Sequence, residues 1–250
     1  MHVFFVTGAS KGIGFALCKE LLQENHLIVC VARTKNKKLL QMAKESNTKL
    51  EFLEYDLGMS DDLEDLMKKM VSLIPEQPQS ITLVNNAGVI DPIGRTENNA
   101  PEAIIKSIAV NLTAPMVLTS TFIKQLHNYS IPKRIINISS GAGRHPYSGW
   151  SSYCAGKAGL DHYTRVVFEE QKKVPNRVKV ISVAPGIIDT GMQERIRQSD
   201  KQDFELIERF IEYKKEGMLS SPENTAKKLI KMIQSDDFNK LDPIVDLRDF

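Results

Sequence analysis

Tyr153 and Lys157 are the pair in this sequence best suited to proton chemistry. Four residues apart, they fall on one face of a helix, about one turn from each other. A free phenol ionises near a pKa of about 10 and is neutral at pH 7. An ammonium within about 4–6 Å favours the phenolate, so Lys157 is expected to bring the tyrosine toward the range where it gives and takes a proton. Ser140 follows the apolar run Ile135, Ile136, Asn137, Ile138, and a hydroxyl at the end of a buried strand can hydrogen-bond to a carbonyl oxygen. A Ser, a Tyr and a Lys so placed suit the reduction of a ketone. Tyr-x-x-x-Lys by itself is usually a solvated helix pair, so the rest of the chain must give it weight.

A second set of residues suits a dinucleotide. Val3 to Val6 reads as a short buried strand and passes directly into Thr7-Gly8-Ala9-Ser10-Lys11-Gly12-Ile13-Gly14. The spacing Gly-x-x-x-Gly-x-Gly differs from the commoner Gly-x-Gly-x-x-Gly fingerprint but follows the same logic: glycines let backbone N–H groups approach a pyrophosphate at a helix N-terminus. The next strand, Leu27 to Val31, ends in Ala32-Arg33 where an NAD site usually carries Asp or Glu. Arg33, with Lys11, can instead make charge-assisted hydrogen bonds to a 2′-phosphate, which favours NADPH/NADP+ over NAD(H). Asp56 is placed either to hold an adenine amine or to cap a turn. Asn86, Ala87 and Gly88 suit a backbone passing close to a ribose. Pro185, Gly186, Ile188 and Thr190 follow a later strand and could hold a nicotinamide carboxamide.

The elements that must position these groups alternate. Strands are expected at Val3–Val6, Leu27–Val31, Leu50–Leu53, Ile81–Val84, Arg134–Ile138, Val178–Val183 and Ile244–Leu247, with helical stripes between them. This pattern predicts an α/β fold of the Rossmann type: a doubly wound, seven-stranded parallel sheet with helices on both faces. At 250 residues, without a linker or composition break, the chain reads as a single domain. The stretch from Glu102 to His127 looks helical, with Asn111 and Pro115 inside it, either as a kinked helix with a polar centre or as a broken pair. Residues 191–219 carry their own helical stripe and are expected to form a substrate lid beside the site.

Composition removes several classes. With 33 basic and 31 acidic residues there is no global field to recruit nucleic acid or an anionic membrane. Cys18, Cys30 and Cys154 are scattered, without metal spacing or close pairs, and the five histidines form no ligand cluster, so no metal is expected. No stretch reads as a membrane span, and the N-terminal apolar run is too short for a signal-peptide core, which predicts a cytoplasmic protein.

The ordered set TGASKGIG at 7–14, Asp56, NNAG at 85–88, Asn111, Ser140, Tyr153/Lys157 and PGIIDT at 185–190 resembles the short-chain dehydrogenase/reductase family over nearly the whole chain. The resemblance implies hydride transfer from NADPH, Tyr153 as acid, Lys157 lowering its pKa and holding the nicotinamide ribose, and Ser140 binding the carbonyl oxygen. It also implies that Asn111 holds a water linking Lys157 to solvent, and that the 112–127 and 151–171 helices form a homodimer interface. A narrower likeness at 149–159 and 184–193 is to sepiapterin reductases and, more closely, to the bacterial benzil reductase branch. An apolar substrate pocket is then expected from Tyr147, Trp150, Met192 and Phe210. Sepiapterin reductases grip the amino-pterin edge with a C-terminal Asp, for which Asp246 is the candidate and Asp249 a competitor. A nucleotide-binding regulator without turnover is the contrasting class, expected to lose part of Ser–Tyr–Lys.

Overall fold

The computed structural model describes residues 1–59 and 61–250. Strands β1 (His2–Thr7), β2 (His26–Ala32), β3 (Lys49–Glu54), β4 (Ser80–Asn85), β5 (Lys133–Ile138), β6 (Val178–Ala184) and β7 (Ile244–Asp246) form one sheet in the order β3-β2-β1-β4-β5-β6-β7. All pairings are parallel, with Val3 opposite Leu27 on one side and Ile81 on the other. The continuous apolar runs are explained by this layout: β2, β4 and β6 are buried along their whole length because helices cover both faces. The strand set expected from sequence is present: most strands extend by a residue where backbone pairing outlasts the apolar run, while β7 stops at Asp246 and Leu247 enters a 3-10 turn.

One face carries α1 (Gly12–Glu20), α2 (Lys37–Glu45) and α9 (Pro222–Gln234), packed through Leu17, Leu21, Leu39, Leu229 and Ile233. The other carries α3 (Leu63–Ser72) and α5 (Ala114–Gln125), packed through Leu66, Met70, Leu118 and Phe122, together with Val167 of α6 (Ser151–Gln171). Between β1 and β4 the chain reverses its direction of sheet growth, which opens the crevice where α/β sheets bind ligands.

The 102–127 stretch is one continuous run of helix with an irregular, polar centre at Asn111. Helix α4 (Pro101–Ile108) runs through a π-helical turn at Ala109–Thr113 into α5. Pro115 has no N–H to give to the carbonyl of Asn111 four residues back, and the wider turn absorbs that mismatch. Contrary to the sequence reading, residues 101–125 are long and apolar enough, by length and composition, to cross a membrane. Here that apolarity serves packing, since Leu118 and Phe122 lie fully inside the core.

A second correction concerns the cysteines. Cys18 on α1 and Cys30 on β2 are both buried with their sulfurs 3.6 Å apart, so helix-on-sheet packing makes a close pair of residues that are distant in sequence. The 191–219 stretch folds as α7 (Gly191–Arg197) and α8 (Ile207–Lys215) and closes with a parallel bridge from Ile188 to Ser220.

Candidate active site

The sheet's carboxyl edge holds the chemistry. Thr7 at the end of β1 accepts hydrogen bonds from the backbone N–H of Asn86 and Ala87 at 3.0 and 3.1 Å, while the Asn86 amide donates to the Thr7 carbonyl at 2.8 Å. The glycine turn and the Asn86–Gly88 segment are thereby fixed side by side. A Cβ on Gly14 would meet the Gly8 carbonyl oxygen at 2.3 Å and the Asn86 amide nitrogen at 2.5 Å, so this glycine lets helix and strand approach.

A cleft of about 570 Å³ runs along this edge. Its dinucleotide end is lined by Gly8, Ser10, Lys11, Gly12, Ile13, Arg33 and Asp56, its middle by Asn86, Ala87, Gly88, Pro185, Gly186, Ile188 and Thr190. Ser140, Tyr153 and Lys157 follow, then Tyr147, Trp150, Met192, Phe210 and Asp246. Two of the expected residues stand back from the cleft: Gly14 at its packing contact, and Asn111, which is wholly buried.

The dinucleotide end fits the group its sequence implies. Helix α1 begins at Lys11 with no side-chain cap and no acidic residue in its first turn, which leaves backbone N–H groups and a positive helix end for a phosphate. Lys35, two residues beyond Arg33, is paired with Glu54 at 3.3 Å on the surface, whereas among the described residues Arg33 and Lys11 carry no ion pair. Asp56 accepts a hydrogen bond from the Gly58 N–H at 2.9 Å, so it caps a turn while also facing the cleft.

At the candidate catalytic triplet, Ser140 opens the loop after β5 and accepts from the Ala142 N–H at 3.2 Å. Lys157 donates to the Ile138 carbonyl at 2.9 Å, and its Nζ lies 5.8 Å from the centre of the Tyr153 ring. Asn111 is locked by both edges of its amide: it accepts from the Val89 N–H at 3.1 Å and donates to the Val89 carbonyl at 2.8 Å. A Cβ on Gly88 would stand 3.2 Å from the Asn111 oxygen and 3.6 Å from Lys157 Nζ, so amide and ammonium flank the same glycine.

The ionisation pattern corrects the sequence expectation. Burial pushes the Tyr153 phenol up to about 12, with a hydrogen bond from Ser140 pulling the other way and Cys154 adding slightly to the rise. Burial likewise brings Lys157 down to about 8, against the attraction of Asp161. Desolvation disfavours the charged form of each group and sets the direction of both shifts. Tyr153 is therefore a proton-bearing acid throughout the neutral range.

Asp246 also differs from its expected role. Its oxygens are already held by Arg248, at 2.9 Å from Nε and 2.6 Å from Nη2, and it caps the Arg248 N–H. The same carboxylate lies 3.8 Å from Arg144, and these cations hold it below the usual carboxylate range. The aromatic end is more extensive than the sequence suggested. Trp150 stacks on Phe204 at 4.7 Å and on Tyr147 at 5.1 Å, with Phe210 edge-on at 5.3 Å. Arg209 and Tyr213, hydrogen-bonded to each other on α8, were missed; the i, i+3 spacing of Phe210 and Tyr213 was the available signal.

Comparison with known proteins agrees with this geometry. Residues 2–201 match the family model described as short chain dehydrogenase. The chain is 40% identical over 239 residues to a benzil reductase ((S)-benzoin forming) of Bacillus cereus, covering 95% of this chain and 96% of that protein. It is 32% identical to the sepiapterin reductase of Rattus norvegicus, covering 94% and 92% respectively. The crystal structure of the KRED1-Pglu enzyme superposes with a TM-score of 0.82 at 26% identity, over 98% of this chain and 100% of that one. A parallel sheet with a glycine turn at its switch point and a Ser, Tyr, Lys triplet on its carboxyl edge thus has sequence relatives along the whole chain: this protein belongs to the short-chain dehydrogenase family and is an oxidoreductase.

Proposed function

We propose that this protein is an NADPH-dependent carbonyl reductase that acts on ketones and aromatic α-diketones in the manner of a benzil reductase, yielding (S)-benzoin from benzil. The observation that carries the reading is the protonated Tyr153 phenol beside Ser140, at the point where the dinucleotide groove meets an aromatic wall. When bound, the cofactor supplies the hydride. The helix α1 terminus, Ser10 and Gly12 face its pyrophosphate, Arg33 and Lys11 its 2′-phosphate, and Lys157 its nicotinamide ribose, with Asn86–Gly88 and Pro185–Thr190 lining the remainder.

Ser140 donates to the substrate's carbonyl oxygen and draws electron density from the carbonyl carbon. Tyr153 Oη gives its proton to that oxygen as negative charge develops there. Lys157, held by the Ile138 carbonyl, stabilises the phenolate left behind, and its neighbour Asn111 suits it to proton return from solvent through a water. Tyr147, Trp150 and Phe210 exclude water and offer stacking faces to an aryl group. Residues 191–219 serve as the lid of a single catalytic domain.

Arg248 already holds Asp246, so a pterin's amino edge would have to share or displace that contact, which favours the diketone. An intact Ser–Tyr–Lys set argues against a non-catalytic regulator. Exposed Met116 on α5 and Val166 on α6 suit the homodimer interface expected on these helices, and the chemistry suits a cytoplasmic enzyme using a small-molecule substrate. The reading is tested by following NADPH and NADH absorbance separately with benzil, a simple monoketone and sepiapterin. NADPH oxidation fastest with benzil is expected. Faster turnover of sepiapterin would reassign the pocket, and tight NADPH binding without turnover of any of them would remove the enzyme reading.

A further inference from the structure

Asp161 is an acid with no assigned work. It stands four residues after Lys157 on α6, on the same face, and is 1% exposed. A carboxylate so deep is rare without partners, because burying an unpaired charge is costly. One oxygen accepts from the Ser182 hydroxyl of β6 at 2.6 Å. The other, Oδ2, makes no hydrogen bond and lies 3.6 Å from Arg144 Nε.

Arg144 is four residues beyond Ser140, in the same loop. Its Nη2 donates to the Val245 carbonyl at 3.0 Å, and its Nη1 lies 3.8 Å from Asp246. The loop is pressed against α6: a Cβ on Gly143 would meet the Lys157 carbonyl oxygen at 2.9 Å and Asp161 Oδ2 at 3.0 Å. The charged groups around Asp161 are thus Lys157 from its own helix, Arg144 from the serine loop and, beyond Arg144, Asp246 from the C-terminal segment. Ser182 is its neutral partner from β6, and Tyr153 is the further titratable group on the same helix.

We propose that Asp161 is a positioning residue of the catalytic site, supplying the counter-charge for buried Lys157 and, through Arg144, latching the Ser140 loop and the C-terminal strand onto helix α6. A packing role alone would not need the charge, since an asparagine could satisfy Ser182 equally well. Arg144, from the loop that bears Ser140, reaches this carboxylate at 3.6 Å, and Lys157 stands one helical turn before it on the same face of α6 with its ammonium on the Ile138 carbonyl. The inference rests on the carbonyl-reductase reading for its consequence in turnover but not for its geometry.

The test is 13C NMR of the full-length protein carrying lysine labelled at Cε, with the Lys157 resonance assigned by its loss in Lys157→Met. In the unsubstituted protein the Lys157 midpoint is expected at about 8, where burial brings it. Asp161→Asn should lower that midpoint by about one pH unit, and Arg144→Met, which removes a neighbouring cation, should raise it. The falling limb of the pH profile for benzil reduction should move the same way in each variant, and Asp161→Glu should restore it. Should Asp161→Asn fail to fold, half-buried Arg144 still permits the opposite shift to be read. A Lys157 midpoint unchanged in every variant that folds overturns the proposal. A protein that reduces no ketone but shows both NMR shifts overturns the activity reading alone.

Discussion

The two ends of the cleft are built from different materials. At the dinucleotide end the lining combines main chain and small residues from neighbouring strand ends, Gly8 and Gly12 after β1 and Ala87 and Gly88 after β4, with the charged side chains of Lys11, Arg33 and Asp56. At the substrate end the lining is bulky side chains brought from far apart, with Trp150 stacked on Phe204 within an interplanar angle of 7°. Behind the first end the backbone is tightly packed, since a Cβ on Gly14 would meet the Gly8 carbonyl oxygen at 2.3 Å. Behind the second, Trp150 and Phe204 are 4% and 0% exposed within an aromatic cluster of their own. The two ends therefore draw on separate segments of the chain.

Tyr153 stands at the junction, and its removal is the strongest way to probe whether the ends are separable. Tyr153→Phe keeps the ring among Trp150 and its neighbours but loses the acid, so kcat for benzil should fall by about 10²–10⁴. NADPH affinity, followed by fluorescence quenching, should be little changed. A parallel collapse of both would mean that the phenol organises the dinucleotide end as well.

A smaller effect is expected from Arg33→Ala, confined to one end. A hydrogen bond to a charged group contributes about 1.5–3 kcal/mol, so Kd for NADPH should rise by about 10–100-fold. Affinity for NADH and the KM for benzil should stay as they were. Equal weakening of NADH would place Arg33 outside the 2′-phosphate site.

The same contrast decides what could be read from the sequence. The dinucleotide end was legible because each of its parts is a local signal: a strand, a glycine turn, a helix start, a basic residue where an acid would mark NAD. Tyr153 and Lys157 were legible because helical spacing alone puts them on one face. The aromatic wall was legible in part, through Tyr147 and Trp150 near that pair and Phe210 in the 191–219 stretch. Trp150 was found through its nearness to Tyr153, whereas Phe204 and Tyr213 depend on how 191–219 returns to the loop before α6. Gly149 records that return, since a Cβ there would meet the Asp203 carbonyl oxygen at 2.4 Å and its φ is +86°. Charges were the hardest to read. Asp246 offered a free carboxylate in the sequence and is clamped by Arg248, while Cys18 and Cys30 became neighbours through packing. The sense of the Tyr153 shift was missed because spacing reports the lysine's proximity and not the burial that both groups share.

That shared burial gives the finest test of the boundary, through pH. In the proposed mechanism Lys157 acts as the ammonium that stabilises the phenolate, so activity should fall as pH rises through about 8. Stability should respond in the opposite sense. In the unfolded chain the lysine titrates near its ordinary 10.5, so between pH 8 and 10.5 the unfolded state binds more protons than the folded one. Unfolding then becomes harder as pH rises across that window, because the burden of burying the ammonium is relieved. Lys157→Met, which never carries that charge, should melt above the unsubstituted protein at pH 7, and the gap should close toward pH 10.5. Tyr153 adds a later loss: its folded value of about 12 exceeds the ordinary 10, so the folded state holds its proton longer and stability declines between those two pH values. Melting temperatures read alongside turnover from pH 7 to 10.5 would therefore diverge. If stability instead stayed flat across that window and fell only above pH 10.5, the ammonium would be held by attraction more than it is opposed by burial, and the substrate and dinucleotide ends would share a more polar junction than the structure describes.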